Sequence, residues 1–471
     1  MKRNHSGSFT LLLFKHSLLI IVASLSARTL SAQELNPDQL ATTVSDGFTI
    51  AVVGDIIISY SLDHMMSDAG FRAVVELIQG ADVSTGNLEG NIIDGRNFRG
   101  SAGGGFGGEP EVAEWVKAMG FDIVSRPNNH ADDFGREGLI ETSSHLDRVG
   151  LQYAGYGDSY WAAKAARYYS SPRGRVGMVA VSDHQPRAQL AQGEWPGIGG
   201  LSPLQVTRYF MVPEDSWEAL QTMRDHFPNG TGFYARGANS SEQIAFMGNQ
   251  FRKAARGITE SYYHYEINQR DLRDTLAAIR EGKIKSDFIT VAIHAHHFLE
   301  TTGGYRGEGI PEAEHIDTNA SIADYLPVFA KAAIDNGADL FQGTGVHALR
   351  GIEIYNNRPI FYGLGEFIRQ MDVIGLSGRG DPHRSMGPPD AEFPVKFESI
   401  IAINEYAGGE LKEVRIHPVE ARYAETKLAQ RGIPRIAPPV IAQRILRRLQ
   451  ALSAPLGTEI QIVGNIGIIR P

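Results

Sequence analysis

Asp55, Asn87 with Glu89, Asn129 with His130, His294 with His296 and His297, and His347 stand in five separate stretches, each just after a run of apolar, largely β-branched residues. Carboxylate, imidazole and amide oxygen together are a donor set suited to hard or borderline divalent cations such as Mn²⁺, Fe²⁺ or Zn²⁺. Two such ions about 3.5–4 Å apart lower the pKa of a shared water and brace a tetrahedral leaving group, so the set points to hydrolysis. Taken singly, each group has an ordinary explanation. An aspartate after a strand is commonly a turn or helix-cap residue, Asn129-His130 reads as an Asx turn, and clustered histidines can be a solvated polar patch. The argument for ligation rests on recurrence at five strand ends and on three imidazoles crowded into residues 294–297.

The rest of the composition narrows the chemistry. Among 471 residues there is no cysteine, which excludes disulfides, thiolate zinc sites and a cysteine nucleophile. Any metal must therefore be held by histidine, carboxylate and amide groups. Lys2 and Arg3 precede an apolar stretch that runs to small residues ending Ser31-Ala32, the pattern of an export signal. Cleavage after Ala32 or Ala27 and retention as an N-terminal anchor are the open alternatives. Removing residues 1–32 takes away Lys2, Arg3, Lys15 and Arg28 and no acid, so the formal charge goes from −9 to −13. An acidic mature chain is a poor nucleic-acid binder, because that binding neutralises phosphates with Lys and Arg.

The elements that must position the ligands follow from periodicity. Phe48 to Ser59 and Ala81 to Leu88 read as buried strands separated by a helix over Met65 to Gln79. A helix over Glu111 to Met119 leads to a strand over Phe121 to Ser125, and a further helix runs from about Arg136 to Val149 with Gly150 as its stop. Strands Val176 to Val181 and Phe288 to Ile293 repeat the pattern, with polar residues again at their C-terminal ends, where open α/β sheets place ligands. The rhythm lapses between residues 185 and 265, read as an insertion with one helical patch, whose Trp195, Arg208, Tyr209, Tyr234 and Arg236 are read mainly as packing. The glycine-rich stretch from Gly95 to Gly108 reads as a mobile loop beside the site. Phe397–Asn404 and Leu411–His417 read as a hairpin turning near Gly408-Gly409, and a last helix and strand (Pro438 to Leu452, Glu459 to Ile469) as an appendage.

The order GDI (54–56), NLE (87–89), NNHADDFG (128–135), a strand ending in His294, and Gly343 to His347 followed by GIEIY and PIFYGLGEF (351–367) resembles the capsule-synthesis CapA family of poly-γ-glutamate biosynthesis, related to calcineurin-like metallophosphoesterases. The resemblance implies an α/β fold, a four-layer αββα sandwich with an inserted region and a C-terminal appendage. It divides the chain into a signal peptide (1–32), a linker (33–46), a core domain (47–420, with 185–265 inserted) and the appendage (421–471). It implies that Asp55 ligates one metal, that Glu89 bridges, that Asn129 ligates a second metal, and that His294 and His347 complete the shells of two divalent ions (Mn, Fe or Zn). His130 is then the non-ligand imidazole that protonates the leaving group or stabilises its charge. Asp133 orients it or caps the following helix.

Three positions depart from that pattern. Thr344 stands where a second histidine is usual, Glu366 where an asparagine is usual, and His294-Ala295-His296 replaces His-Trp-Gly. Either His296 supplies the missing ligand or the site holds a single metal. His294 and His296 would face opposite sides of a continued strand, but both reach one site from a loop. The function expected is that of an exported periplasmic, extracellular or envelope-associated hydrolase acting on an anionic polymer or cell-envelope substrate. The alternative is a non-catalytic component of capsule or poly-γ-glutamate assembly that binds metal and polymer.

Overall fold

In a computed structural model the chain is described over residues 42–100, 105–183, 199–226, 240–299, 321–370, 394–422, 425–427 and 429–471. The segment expected to be an export signal, most of the expected linker, and Trp195, Tyr234 and Arg236 lie outside the described residues. No described helix is long and apolar enough to cross a membrane.

Two mixed sheets face each other. The larger, ten-stranded sheet is centred on Phe48–Ile57, which pairs in parallel with Val83–Leu88 and in antiparallel with Glu398–Ala407. The second sheet, of six strands, is centred on Phe288–His294, flanked in parallel by Gly174–Ser182 and Leu340–Thr344. Strand alternation explains the layering. Phe48, Ile50 and Val52 join Phe288, Ala292, Met178 and Leu340 in an apolar layer between the sheets, whereas Ala51 and Val53 pack outward with Phe71 and Ile78 of the helix Ala69–Gln79 and with Val116 of Glu111–Ala118. On the far side, Ile289, Val291 and Ile293 meet Ile279 of Gln269–Ile284 and Phe329 of Tyr325–Asp335. The result is the expected αββα sandwich.

Two sequence readings change. Residues 206–267, most of the stretch read as an insertion with one helical patch, keep that helix and hold strands as well. Their described part forms a four-stranded sheet, in the order Gln243–Phe246, Asn249–Lys253, Val206–Val212, Tyr262–Ile267, beside the helix Glu214–His226. Both faces of that sheet mix charges with aromatics, so the strands lack the apolar alternation that marks a half-buried strand. The stretch Glu459 to Ile469 is a hairpin (Gln461–Val463 and Ile466–Ile469) rather than one strand, bent where Gly464 takes φ +61°. The Gly408-Gly409 turn forms as read, with both glycines at positive φ, the conformation a two-residue hairpin requires.

The C-terminal segment is joined to this core. Ile466–Ile469 pairs with Glu410–Glu420 in the larger sheet, and Ala442, Ile445, Leu446 and Leu449 of the helix Pro439–Ser453 lie on one face within the layer between the sheets. Arg444 and Arg448 on the same helix converge on the buried carboxylate of Glu398. Leu449→Ala is therefore expected to cost about 2–5 kcal/mol by leaving a cavity in that layer. Chemical denaturation followed by circular dichroism measures the loss, and a native-like midpoint would show that the helix is not part of the core.

Candidate metal centre

Asp55 reaches the space between the sheets through an irregularity in its strand. Continued alternation after Ala51 and Val53 would turn it toward the outer helices. The register shifts on both sides of Asp55, and Ile56 takes the outward place instead. Gly54 allows this, because a Cβ there would lie 1.8 Å from the Gly365 carbonyl oxygen of the neighbouring strand Glu366–Arg369. Asn87 shares the inward face of Val83, and its Nδ2 donates to Asp55 Oδ1 at 2.8 Å while its oxygen accepts from Ser125 Oγ at 2.8 Å. His294 shares the inward face of Phe288 and Ala292 and lies with Nδ1 3.5 Å from Asp55 Oδ1.

The described strand ends at His294, so His296 is no longer bound to the alternate face. The two Nε2 atoms are 3.0 Å apart, and Asn129 Oδ1 lies 2.8 Å from the first and 3.1 Å from the second. His347, at φ +56°, points Nδ1 to Asp55 Oδ2 at 3.5 Å and to Glu366 Oε1 at 2.9 Å. Gly345 before it has φ +107° and would strike the Ala295 backbone with any Cβ, which lets the two ligand loops touch. Glu89 lies between the imidazoles, with His130 Nε2 and His294 Nε2 each 4.0 Å from its Oε1.

All six expected ligands are thus brought together. Possible ligand atoms of Asp55, Glu89 and His294, and of Glu89, His296 and His347, lie within 4.8 Å of one another, with Glu89 common to both groups. His130 Nδ1 binds Asp133 Oδ2 at 2.8 Å, and the helix Gly135–Val149 has no side-chain cap, so of the two roles read for Asp133 the geometry has the orienting one. Phe106 lies over the His130 ring at 3.9 Å between centroids and donates its N–H to the same Asp133 oxygen at 2.8 Å. Gly105 is required for that approach, since a Cβ would fall 1.9 Å from Asp133 Oδ2. His297 does not join the centre: its Nδ1 turns to Asp183 Oδ2 at 2.7 Å.

Electrostatics test whether these residues fit a cation. Glu89 is buried, and neither of its oxygens accepts a hydrogen bond. Burial first, then repulsion from Asp55, pushes its carboxyl well above the usual range. Burial also opposes charge on Asp55, but hydrogen bonds and attraction from His294 and His347 outweigh it and hold that carboxyl below its ordinary value. Burial lowers His294 and so favours the neutral, ligating imidazole. Three buried carboxylates, Asp55, Glu89 and Glu366, gather here, and Arg369 pairs with Glu366. An orphaned carboxylate among imidazoles, one of them favoured in its neutral form by burial, fits a divalent cation.

Glu366 is the residue that reading the sequence had singled out only as a departure. It pairs with Asp55 in register, holds His347 Nδ1, and is itself held by Arg369, against whose charge and that of His347 burial is outweighed, so its carboxyl lies below the usual range. Its signal was the position after Gly365, legible only once the strand pairing is known. Thr344 Oγ1 stands 3.1 Å from His294 Nδ1 and braces that ring instead of ligating as a histidine would. Glu366→Gln is expected to weaken Mn²⁺ or Zn²⁺ binding by about 10–100-fold through loss of ring orientation. Calorimetric titration of the metal-stripped chain measures this, and unaltered affinity would show that Glu366 serves only Arg369.

Comparison with known proteins gives the chain its family. The family described as bacterial capsule synthesis protein PGA_cap matches residues 49–302 and 315–371. An uncharacterized protein of Sinorhizobium fredii, y4sH, is 37% identical over 462 residues, covering 91% of this chain and 94% of that one. The capsule biosynthesis protein CapA of Bacillus anthracis is 25% identical over 331 residues, 69% of this chain and 60% of that one. The PGA biosynthesis protein CapA of Bacillus subtilis is 21% identical over 336 residues, 70% and 65% of the two chains. Matched over more than half of its length and carrying the GDI, NLE and NNHADDFG segments in one buried cluster, this chain belongs to the bacterial capsule synthesis PGA_cap family.

Proposed function

We propose that this protein is an exported, metal-dependent hydrolase of capsule or poly-γ-glutamate metabolism, acting on an anionic, amide-linked polymer or a related envelope intermediate. The observation that carries the hydrolase reading is Glu89, a buried carboxylate without a hydrogen bond, shared by two ligand groups. Asp55, Glu89 and His294 would hold one divalent ion, and Glu89, His296 and His347, with Asn129 alongside, a second. When bound, such ions act as Lewis acids and make water nucleophilic near neutral pH. The polymer assignment is supported by family membership and by the relatives named for capsule and PGA biosynthesis.

The chain's own groups complete the reaction. Asp133 binds His130 Nδ1, which leaves Nε2 as the nitrogen turned toward Glu89. A proton carried there is placed to reach a leaving nitrogen or oxygen seated at the centre. Phe106 covers the ring and keeps bulk water from that face. Asn87 and Thr344 hold Asp55 and His294 in place before substrate arrives, so little reorganisation remains for the chemical step.

Removing His130 separates catalysis from binding. His130→Ala is expected to lower turnover of a γ-linked glutamate oligomer, or of a phosphodiester surrogate, by about 10²–10⁴-fold while metal per chain stays as in the native protein. If the native chain binds the oligomer but releases no product, and His130→Ala binds equally well, the protein is a binding component of polymer assembly instead. His296→Ala is expected to reduce metal per chain, read by plasma emission spectrometry. Unchanged stoichiometry and affinity would remove His296 from the ligand set. For export, the N-terminus of protein recovered outside the cytoplasm is expected to follow Ala32 or Ala27, and recovery of the intact leader in the membrane fraction would indicate an anchored form.

A further inference from the structure

The four-stranded sheet formed by residues 206–267 carries a second feature that the metal chemistry does not use. Arg208 and Phe210 project on the same face of their strand, and the register sets Phe210 opposite Tyr263 on one side and Phe251 on the other. The Phe210 ring lies 5.1 Å from Phe251 and 4.9 Å from Tyr263. The guanidinium of exposed Arg208 sits over this platform, 5.1 Å from the Phe210 centroid and 5.0 Å from that of Tyr263, and makes no ion pair among the described residues. Its neighbours show that the sheet otherwise neutralises its cations. Arg252, over Tyr209 on the opposite face, is paired with Glu266 at 2.6 Å, and Lys253 with Glu214 at 2.8 Å.

The platform is fixed to the loop that carries the imidazoles. Tyr263 donates its backbone N–H to Leu299 O at 3.3 Å, and its ring lies 6.4 Å from Phe298. Tyr265, opposite Arg208 in register, donates its hydroxyl to Phe298 O at 2.8 Å and packs on His297 at 4.7 Å between rings. Only His297 and Phe298 separate His296 from Leu299.

We propose that Arg208, seated on Phe210 and Tyr263, is a carboxylate-binding subsite that holds an acidic, amide-linked polymer alongside the metal centre. This rests on the polymer-directed reading above. A guanidinium takes a carboxylate through paired N–H donors, and aromatic faces accept the flat amide groups of such a backbone. The formal charge of the whole chain is −9, so no general field draws a polyanion in, and a defined contact has to supply the attraction. Stacking on two rings restricts Arg208 in advance and lowers the entropy lost on binding.

The test is fluorescence anisotropy of a labelled γ-linked glutamate oligomer titrated with the metal-loaded full chain. Arg208→Ala is expected to weaken binding by about tenfold or more, the loss of one charge-assisted contact, with metal per chain unchanged. Arg208→Lys should fall between the two, because it keeps the charge and loses the planar fork. Arg252→Ala, on the opposite face, should bind within about twofold of native. Native-like binding by Arg208→Ala, or an equal loss in Arg252→Ala, overturns the subsite while leaving the polymer reading in place. A native chain that binds no oligomer overturns that reading and the subsite with it.

Discussion

Glu89 is the constraint around which the centre is built. An ionised carboxylate removed from water costs roughly several kcal/mol even after relaxation, and donors around the group normally offset that cost. Here the near neighbours are two more carboxylates and a set of imidazoles, and no donor reaches either oxygen. Protonation or a cation relieves such an arrangement. The imidazoles, one of them kept neutral by burial, make the cation the better match to the donor set.

The surrounding scaffold serves to hold like-charged groups in place against their repulsion. Apolar layers between the sheets and outside them fix the strands, and the irregularity at Asp55 is tolerated because Gly54 and Gly365 let the backbones meet. Asp55 is then held by Asn87 Nδ2 and by the Gly345 N–H at 3.2 Å, while Asn128 ties the His130 loop to the Leu88 carbonyl at 2.8 Å. The donors in all three are neutral amides. They orient ligands without adding charge that would compete with a cation.

The three positions that depart from the expected family pattern meet at one centre. Thr344 braces a ring where a histidine would ligate, and the shorter side chain leaves room beside His294. His296 enters that neighbourhood because the strand has already ended. Glu366 brings a carboxylate where an amide is usual, and Arg369, one helical-type spacing further on in sequence but on an extended strand, offsets the added charge.

The sequence by itself determined the donor types, their order along the chain and the strands that end beside them, because buried parallel strands are written as apolar runs and the ligands follow directly at their C-terminal ends. The αββα layering was implied by the family resemblance, and the folded chain shows which residues face which layer, Phe48, Ile50 and Val52 inward and Ala51 and Val53 outward. What the sequence left open depends on pairing between residues far apart. The partner of His347 is Glu366, chosen by the register of two parallel strands. Whether His294 and His296 share a site depended on where one strand stops. Arg208 became distinct from Arg252 only when the folded sheet placed Glu266 beside Arg252 and, among the described residues, no acid in an ion pair with Arg208. Each of these was decided by tertiary structure, since local propensity says which face a side chain takes and only folding says what stands opposite.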